Sequence, residues 1–89
     1  MHPNLDPESF FIRTSMKEKD VNMLMGINDS NNLKLIENGY TKAYQILGML
    51  LLFNKNKNLF VEWLESMNIN PFDAKKCYQC LIDWCDQHL

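Results

Sequence analysis

Apolar residues are spread unevenly along this chain, and their densest run lies between Ala43 and Phe53, where Gln45 is the only polar side chain. The stretch from Lys42 to Phe53 predicts a helix with no face left for water, and a helix apolar all round must be buried on every side. It is too short to span a bilayer, which takes about 20 apolar residues. A small domain can cover roughly half of such a helix, so the other half calls for a second chain. Gly48 sits in the middle of the run, where glycine costs about 1 kcal/mol relative to alanine. A close backbone approach at a helix crossing would justify it. The pattern predicts a small helical dimer.

The remaining elements fall on either side of this helix. Asp6-Pro7-Glu8 reads as a helix start, with a capping Asp and Pro at the first helical position, and Phe10 and Phe11 follow in a short helix that stops near Ser15. After the connector Met16 to Lys19, a second short helix from Asp20 carries Val21, Met23, Leu24 and Met25 and ends at Gly26. Gly26-Ile27-Asn28 is a tight corner, in which Asn28 is suited to positive φ. A helix from Asp29 to Asn38 follows, with Leu33, Leu35 and Ile36 as its apolar residues and Gly39 as its stop. Thr41 is placed to cap the central helix. Beyond it, Asn54 to Asn58 forms a polar turn, Leu59, Phe60, Trp63, Leu64 and Met67 recur at helical spacing, and Asn70-Pro71 opens a last helix.

The helix, corner, helix and glycine stop around Gly26 outline a helix-hairpin-helix. A corner and a following helix N-terminus present free backbone N–H groups, which suits phosphates. The same outline also describes an ordinary corner in a helical bundle, and the pattern alone leaves both open.

Composition narrows the chemistry. The chain's 89 residues make one domain, 46% apolar, with a net charge of −2 that gives no global attraction to nucleic acid. The N-terminus lacks the apolar run of a signal peptide, and the expectation is a soluble, intracellular protein. Cys77, Cys80, Leu81, Trp84, Cys85 and His88 share an arc of roughly 140° on the last helix. C-x2-C-x4-C-x2-H invites a zinc reading, but Leu81 and Trp84 occupy the same face and structural zinc ligands come from separate elements or a knuckle. The face reads instead as core, and no metal or cofactor is expected. No phosphate loop, nucleophile elbow or metalloprotease motif is present, and both histidines lie near the chain ends. A binding protein is expected, not an enzyme.

Three stretches then carry a likeness. G-Y-T-K-A-Y-Q-I-L-G (Gly39 to Gly48), L-F-V-E-W-L (Leu59 to Leu64) and C-Y-Q-C-L-I-D-W-C-D-Q-H-L (Cys77 to Leu89), with E-K-D-V (Glu18 to Val21) and Gly26-Ile27, resemble the barrier-to-autointegration factor family over almost the whole chain. The resemblance implies an all-α, compact domain of five to six helices containing a helix-hairpin-helix. It also implies a homodimer through the central helix, here Ile46, Leu47, Gly48 and Leu51. Family members bind double-stranded DNA without sequence preference, one site per subunit, and so bridge duplexes. They also hold LEM-domain proteins of the nuclear envelope in a groove at the dimer interface. The matching DNA positions are Gly26, Ile27, Asn28, Asp29, Lys34, Lys75 and Lys76, and the matching groove positions are Tyr40, Phe53, Leu59 and Trp63. A nuclear, chromatin-associated protein is implied.

The departures fall mainly on the basic surface. Pro7 and Ser9 stand where the family has a Lys and an Arg, Leu33 stands at a Lys position, and Asn54 and Val61 replace basic residues of the groove. The N-terminal Ser/Thr run whose phosphorylation releases DNA is replaced by His2-Pro3-Asn4. Each lost phosphate contact lowers affinity and removes about 0.9 log unit of salt slope. The first expectation is a weaker DNA-bridging protein. The alternative is a paralogue that has lost most DNA binding and acts as a protein-interaction adaptor, paired with itself or with a relative.

Overall fold

In the computed structural model, which describes residues 7–89, the helices form in the expected order. They are α1 (Pro7–Arg13), α2 (Asp29–Glu37), α3 (Ala43–Leu52), α4 (Lys57–Glu65) and α5 (Pro71–His88), and the described residues contain no strand. The expected cap Asp6 and the segment His2-Pro3-Asn4 lie outside the described residues. The helix expected from Asp20 is a single 3₁₀ turn, Val21–Met23, which leaves the chain extended at Leu24 before it turns at Gly26. Among the described residues no helix is long and apolar enough to cross a membrane.

α5 is the scaffold. Asn70 caps it by accepting the Asp73 N–H at 2.9 Å, and Pro71 takes the first turn, where its missing N–H has no cost. Its inner face packs against α1 and α4 and carries Ala74, Cys77, Cys80, Leu81, Trp84 and Cys85, all buried. The far end of α5 is tied to the end of α1. Trp84 Nε1 donates to the Thr14 carbonyl at 2.9 Å, and His88, stacked on Trp84, donates from Nε2 to the Ile12 carbonyl at 2.7 Å. The thiols are core groups, as their pattern predicts, and the described residues hold no cluster suited to a metal ion. Burial pushes the Cys80 thiol up to about 11, against a hydrogen bond from the Met25 backbone that acts the other way, and it raises Cys77 and Cys85 as well.

Local chemistry corrects the roles expected of Asn28 and Thr41. Asn28 is not left-handed: it lies at φ −76°, extended, and its side chain accepts the Asn31 N–H at 2.8 Å as the N-cap of α2. At α3 the N-cap position is Lys42, not Thr41, and Gln45 reaches back to it. The Gln45 side-chain oxygen accepts the N–H groups of both Thr41 and Lys42, at 2.8 and 2.9 Å, the reach-back half of a capping box. The polar turn after α3 is shorter than its composition suggests, because Asn56 caps α4 by accepting the Leu59 N–H and draws Lys57 and Asn58 into the helix.

Of the three glycines, Gly26 is the one pressed against another segment of the chain. It lies at φ +84°, and a Cβ placed on it would stand 2.2 Å from the Asp73 carbonyl oxygen. Beside it, Asn31 is buried and donates both to the Gly26 carbonyl (2.8 Å) and to Asp73 Oδ2 (3.0 Å). A Gly26→Ala variant therefore meets both a disfavoured φ, about 1–2 kcal/mol, and a clash with rigid backbone. Its thermal midpoint should fall by at least about 8 °C, and an unchanged midpoint would show that the corner and α5 are not pressed together. The thiols make a separate prediction. The unfolded chain loses thiol protons first, so stability should fall as pH rises from the ordinary 9.0 toward about 11 for Cys80. Urea midpoints measured across that range check the sign.

Candidate functional site

The hairpin corner, α2 and the start of α5 form one surface. Its glycine turn presses on α5 backbone, and the network of Asn28, Asn31, Asp73 and Asn70 fixes the approach of the two helix N-termini. Gly26, Asn28, Asp29, Lys75 and Lys76 all lie on these elements. The N–H groups of Asn28, Asp29 and Ser30 have no partner among the described residues, as befits a helix start.

Two expected contributors are not free. The Ile27 N–H is bonded to the Leu24 carbonyl at 3.2 Å, closing the 3₁₀ turn onto the corner. Lys34 reaches back across the fold and donates to the Asn68 carbonyl at 2.7 Å. Asn68 lies at φ +67°, a left-handed turn after α4, so the ammonium serves as a tether between α2 and the α4–α5 connection. Lys75 and Lys76 remain exposed on α5, with the Lys76 ammonium 4.6 Å from the centroid of the Phe72 ring. Carboxylates stand close to the same donors. Asp29 is exposed in the first turn of α2, and Asp73, in the first turn of α5, is already bonded by Asn31 and Asn70.

A second surface belongs to α3. Ala43, Ile46 and Leu50 lie at one-turn spacing and are fully buried in the chain's own core. Ile46, expected at a dimer interface, is thus 0% exposed within a single chain and not available to a second one without rearrangement. Of the other expected interface residues, Gly48 and Leu51 face outward and Leu47 packs partly against the core. Leu47 is half-buried, Gly48 is exposed with nothing within 4 Å of the place a Cβ would occupy, and Leu51 is 40% exposed. Tyr44 at 47% and Leu52 at 70% extend the apolar strip.

The expected groove residues converge in part. Trp63 of α4 is the hub, with the Tyr40 ring edge-on at 5.2 Å and the Phe53 ring at 6.2 Å. All three are half-buried and packed against the core. Leu59, one turn before Trp63, is largely exposed at the start of α4. Of the three apolar residues read on α2, only Leu35 is buried, while Leu33 and Ile36 are exposed.

Sequence reasoning missed Asn31 and Phe72. A buried Asn in a helical first turn has no periodicity signal, since its role depends on Asp73, 42 residues away. Phe72 stands 68% exposed beside the corner, and its signal was an aromatic in the first turn of a helix whose inner face was already filled.

The family model described as "Barrier to autointegration factor" matches residues 7–88. Barrier-to-autointegration factor B of Xenopus laevis is 41% identical over 80 residues, covering 89% of either chain. The human barrier-to-autointegration factor is 40% identical over 80 residues, covering 89% of this chain and 90% of its own. Barrier-to-autointegration factor 1 of Caenorhabditis elegans is 36% identical over the same length. With its helical order, hairpin corner and central apolar helix, the chain belongs to the barrier-to-autointegration factor family.

Proposed function

We propose that this chain works as a dimerising adaptor of its family in nuclear chromatin. It pairs through the outer face of α3, with a copy of itself or a family relative, and holds double-stranded DNA weakly at the hairpin corner. The role is binding, with no catalytic step. The uncovered apolar strip of Tyr44, Leu47, Gly48, Leu51 and Leu52 carries the reading. Contiguous exposed apolar surface of this kind marks an interaction site, and a helical glycine with no intrachain contact keeps its cost unless another backbone approaches it. The aromatic cluster of Tyr40, Phe53 and Trp63, with Leu59 nearby, supplies the surface for a protein partner such as a LEM domain.

The weak DNA contact follows from the hairpin surface. Its available groups are the N–H donors of Asn28, Asp29 and Ser30 and the ammonium groups of Lys75 and Lys76. Lys34 is already engaged, and Asp29 adds a charge of the wrong sign. Backbone donors and lysines contact phosphate without reading bases. Stronger binding and bridging of duplexes is the second reading, favoured by those three N–H groups, unpartnered among the described residues, together with two exposed lysines.

Light scattering after size exclusion tests the pairing. The wild-type chain should run at twice its 10.5 kDa mass, or at the mass of a mixed pair when added to the human barrier-to-autointegration factor. Gly48→Glu places a carboxylate where a second helix would cross, which is costly to bury. It should leave helicity unchanged and return the mass to that of one chain. A wild-type protein that stays single in both experiments refutes the adaptor reading. For DNA, anisotropy of a short labelled duplex should show binding with a log–log salt slope of about −2 to −3. Binding should vanish in Lys75→Glu/Lys76→Glu. Tight binding with a steep slope would favour the bridging reading.

A further inference from the structure

Asn38 and Gly39 close α2, and they form the one Asn-Gly pair in the chain; every other asparagine is followed by a residue with a side chain. Such a pair has a chemistry of its own. The backbone nitrogen after an asparagine can attack the side-chain carbonyl carbon, Cγ, and close a five-membered ring. A side chain on the following residue crowds that approach, and glycine has none. The place is open as well. Both residues are exposed, and beyond its chain neighbours nothing lies within 4 Å of the position a Gly39 Cβ would take. The helix end, however, holds the reacting groups apart. Asn38 is the C-cap at φ −96° and ψ 8°, and Gly39 follows at φ +91°. The Gly39 N–H donates to the Ile36 carbonyl at 2.9 Å and the Tyr40 N–H to the Leu35 carbonyl at 2.8 Å, a Schellman turn. Asn38 Nδ2 donates to the Lys34 carbonyl at 2.7 Å. Ring closure needs the Gly39 nitrogen on the same side of the Cα–C bond as Cβ, and a ψ near zero turns it away. The reaction therefore waits for this last turn to open, and helix ends open at low free energy.

We propose that Asn38 is a site of spontaneous deamidation, gated by fraying of α2, and that its isoaspartate product unseats Tyr40 from the aromatic cluster around Trp63. In the open turn the Gly39 nitrogen gives its proton to hydroxide and bonds to Asn38 Cγ. The Cγ–Nδ2 bond breaks, and Nδ2 leaves as ammonia with a proton from water. Water then opens the cyclic imide at one of its two carbonyls. Attack at Cγ leaves an aspartate. Attack at the main-chain carbonyl leaves an isoaspartate, whose backbone runs through Cβ and Cγ and is one carbon longer. Neither product, once ionised, can donate to the Lys34 carbonyl, and each sets a negative charge at a helix C-terminus, where it is unfavourable. The added carbon also shifts the Tyr40 N–H out of register with its Leu35 acceptor. The Tyr40 ring stands edge-on to Trp63 at 5.2 Å, so the change reaches the surface offered above to a protein partner. The chemistry itself does not rest on that reading.

The test incubates the full ¹⁵N-labelled chain in mildly alkaline and in mildly acidic buffer, with a short peptide of the Ile36 to Thr41 sequence as a rate reference. Peptide mapping by mass spectrometry locates each conversion, and an Asp-specific protease separates aspartate, which it cuts, from isoaspartate, which it does not. Asn38 should convert ahead of every other asparagine, faster at the higher pH and with isoaspartate in excess. Its rate should fall no more than about tenfold below that of the peptide, as a frayed helix end allows. Asn38→Gln, which must close a larger ring, should abolish the conversion. The Trp63 indole N–H signal should change in step with conversion. The Trp84 indole, bonded to the Thr14 carbonyl at the other end of the fold, should keep its position. An Asn38 still intact when the peptide has fully converted overturns the proposal, as does another asparagine that converts first. Full conversion with an unmoved Trp63 signal overturns the displacement of Tyr40.

Discussion

The contact of Gly26 with the first turn of α5 is the constraint on which the rest of this surface depends. Only a hydrogen on the Gly26 Cα lets the corner come within reach of the Asp73 backbone. Asn31 then secures the approach from both sides, since one amide group satisfies the Gly26 carbonyl and the Asp73 carboxylate together. A buried polar group of this kind is costly if any partner is lost, because the remaining donors and acceptors cannot turn to water. The arrangement also has an electrostatic side. Helix N-termini attract anions, and here the N-termini of α2 and α5 each carry an aspartate of the chain itself. The fold thus gains stability from resident carboxylates at the places where a bound phosphate would compete with them.

α3 resolves a different tension. Its inner row of Ala43, Ile46 and Leu50 is indispensable to the chain's own core, while its outer row is as apolar as the inner one. Within a single chain the outer row is only partly covered. The helix is nevertheless well formed without a partner, because Gln45 closes its N-terminus and Phe53 N–H returns to the Met49 carbonyl at its end. A preformed helix lowers the ordering cost of association. Pairing through it would be the docking of two finished surfaces, with no segment to fold.

The helices, their order and most of the core were legible because their signals are local. Apolar spacing marked α3, α4 and α5, Asn70-Pro71 marked the start of α5, and Gly39 marked the end of α2. The clustered cysteines were recognisable as core from the company of Leu81 and Trp84. What could not be seen was set by distant neighbours. Lys34 looked like a free cation until Asn68 supplied a carbonyl to hold it. Ile46 and Leu47 are adjacent and equally apolar, and only the packing of α3 decides which of them faces inward. Asn28 carries both the left-handed tendency and the capping tendency of asparagine, and the Asn31 N–H three residues later selected the second. Leu33 and Ile36 fit a helical stripe, yet only Leu35 found a surface to cover.

The bonds from α5 to α1 bear on the order in which the chain is made. α1 packs chiefly on α5, and its Phe11, fully buried, belongs to the common core. The acceptors at its end, Ile12 and Thr14, wait for donors 76 and 70 residues further along the chain. A helix of this length is marginal alone in water, so α1, made well before α5, is fully secured only when α5 has followed it out.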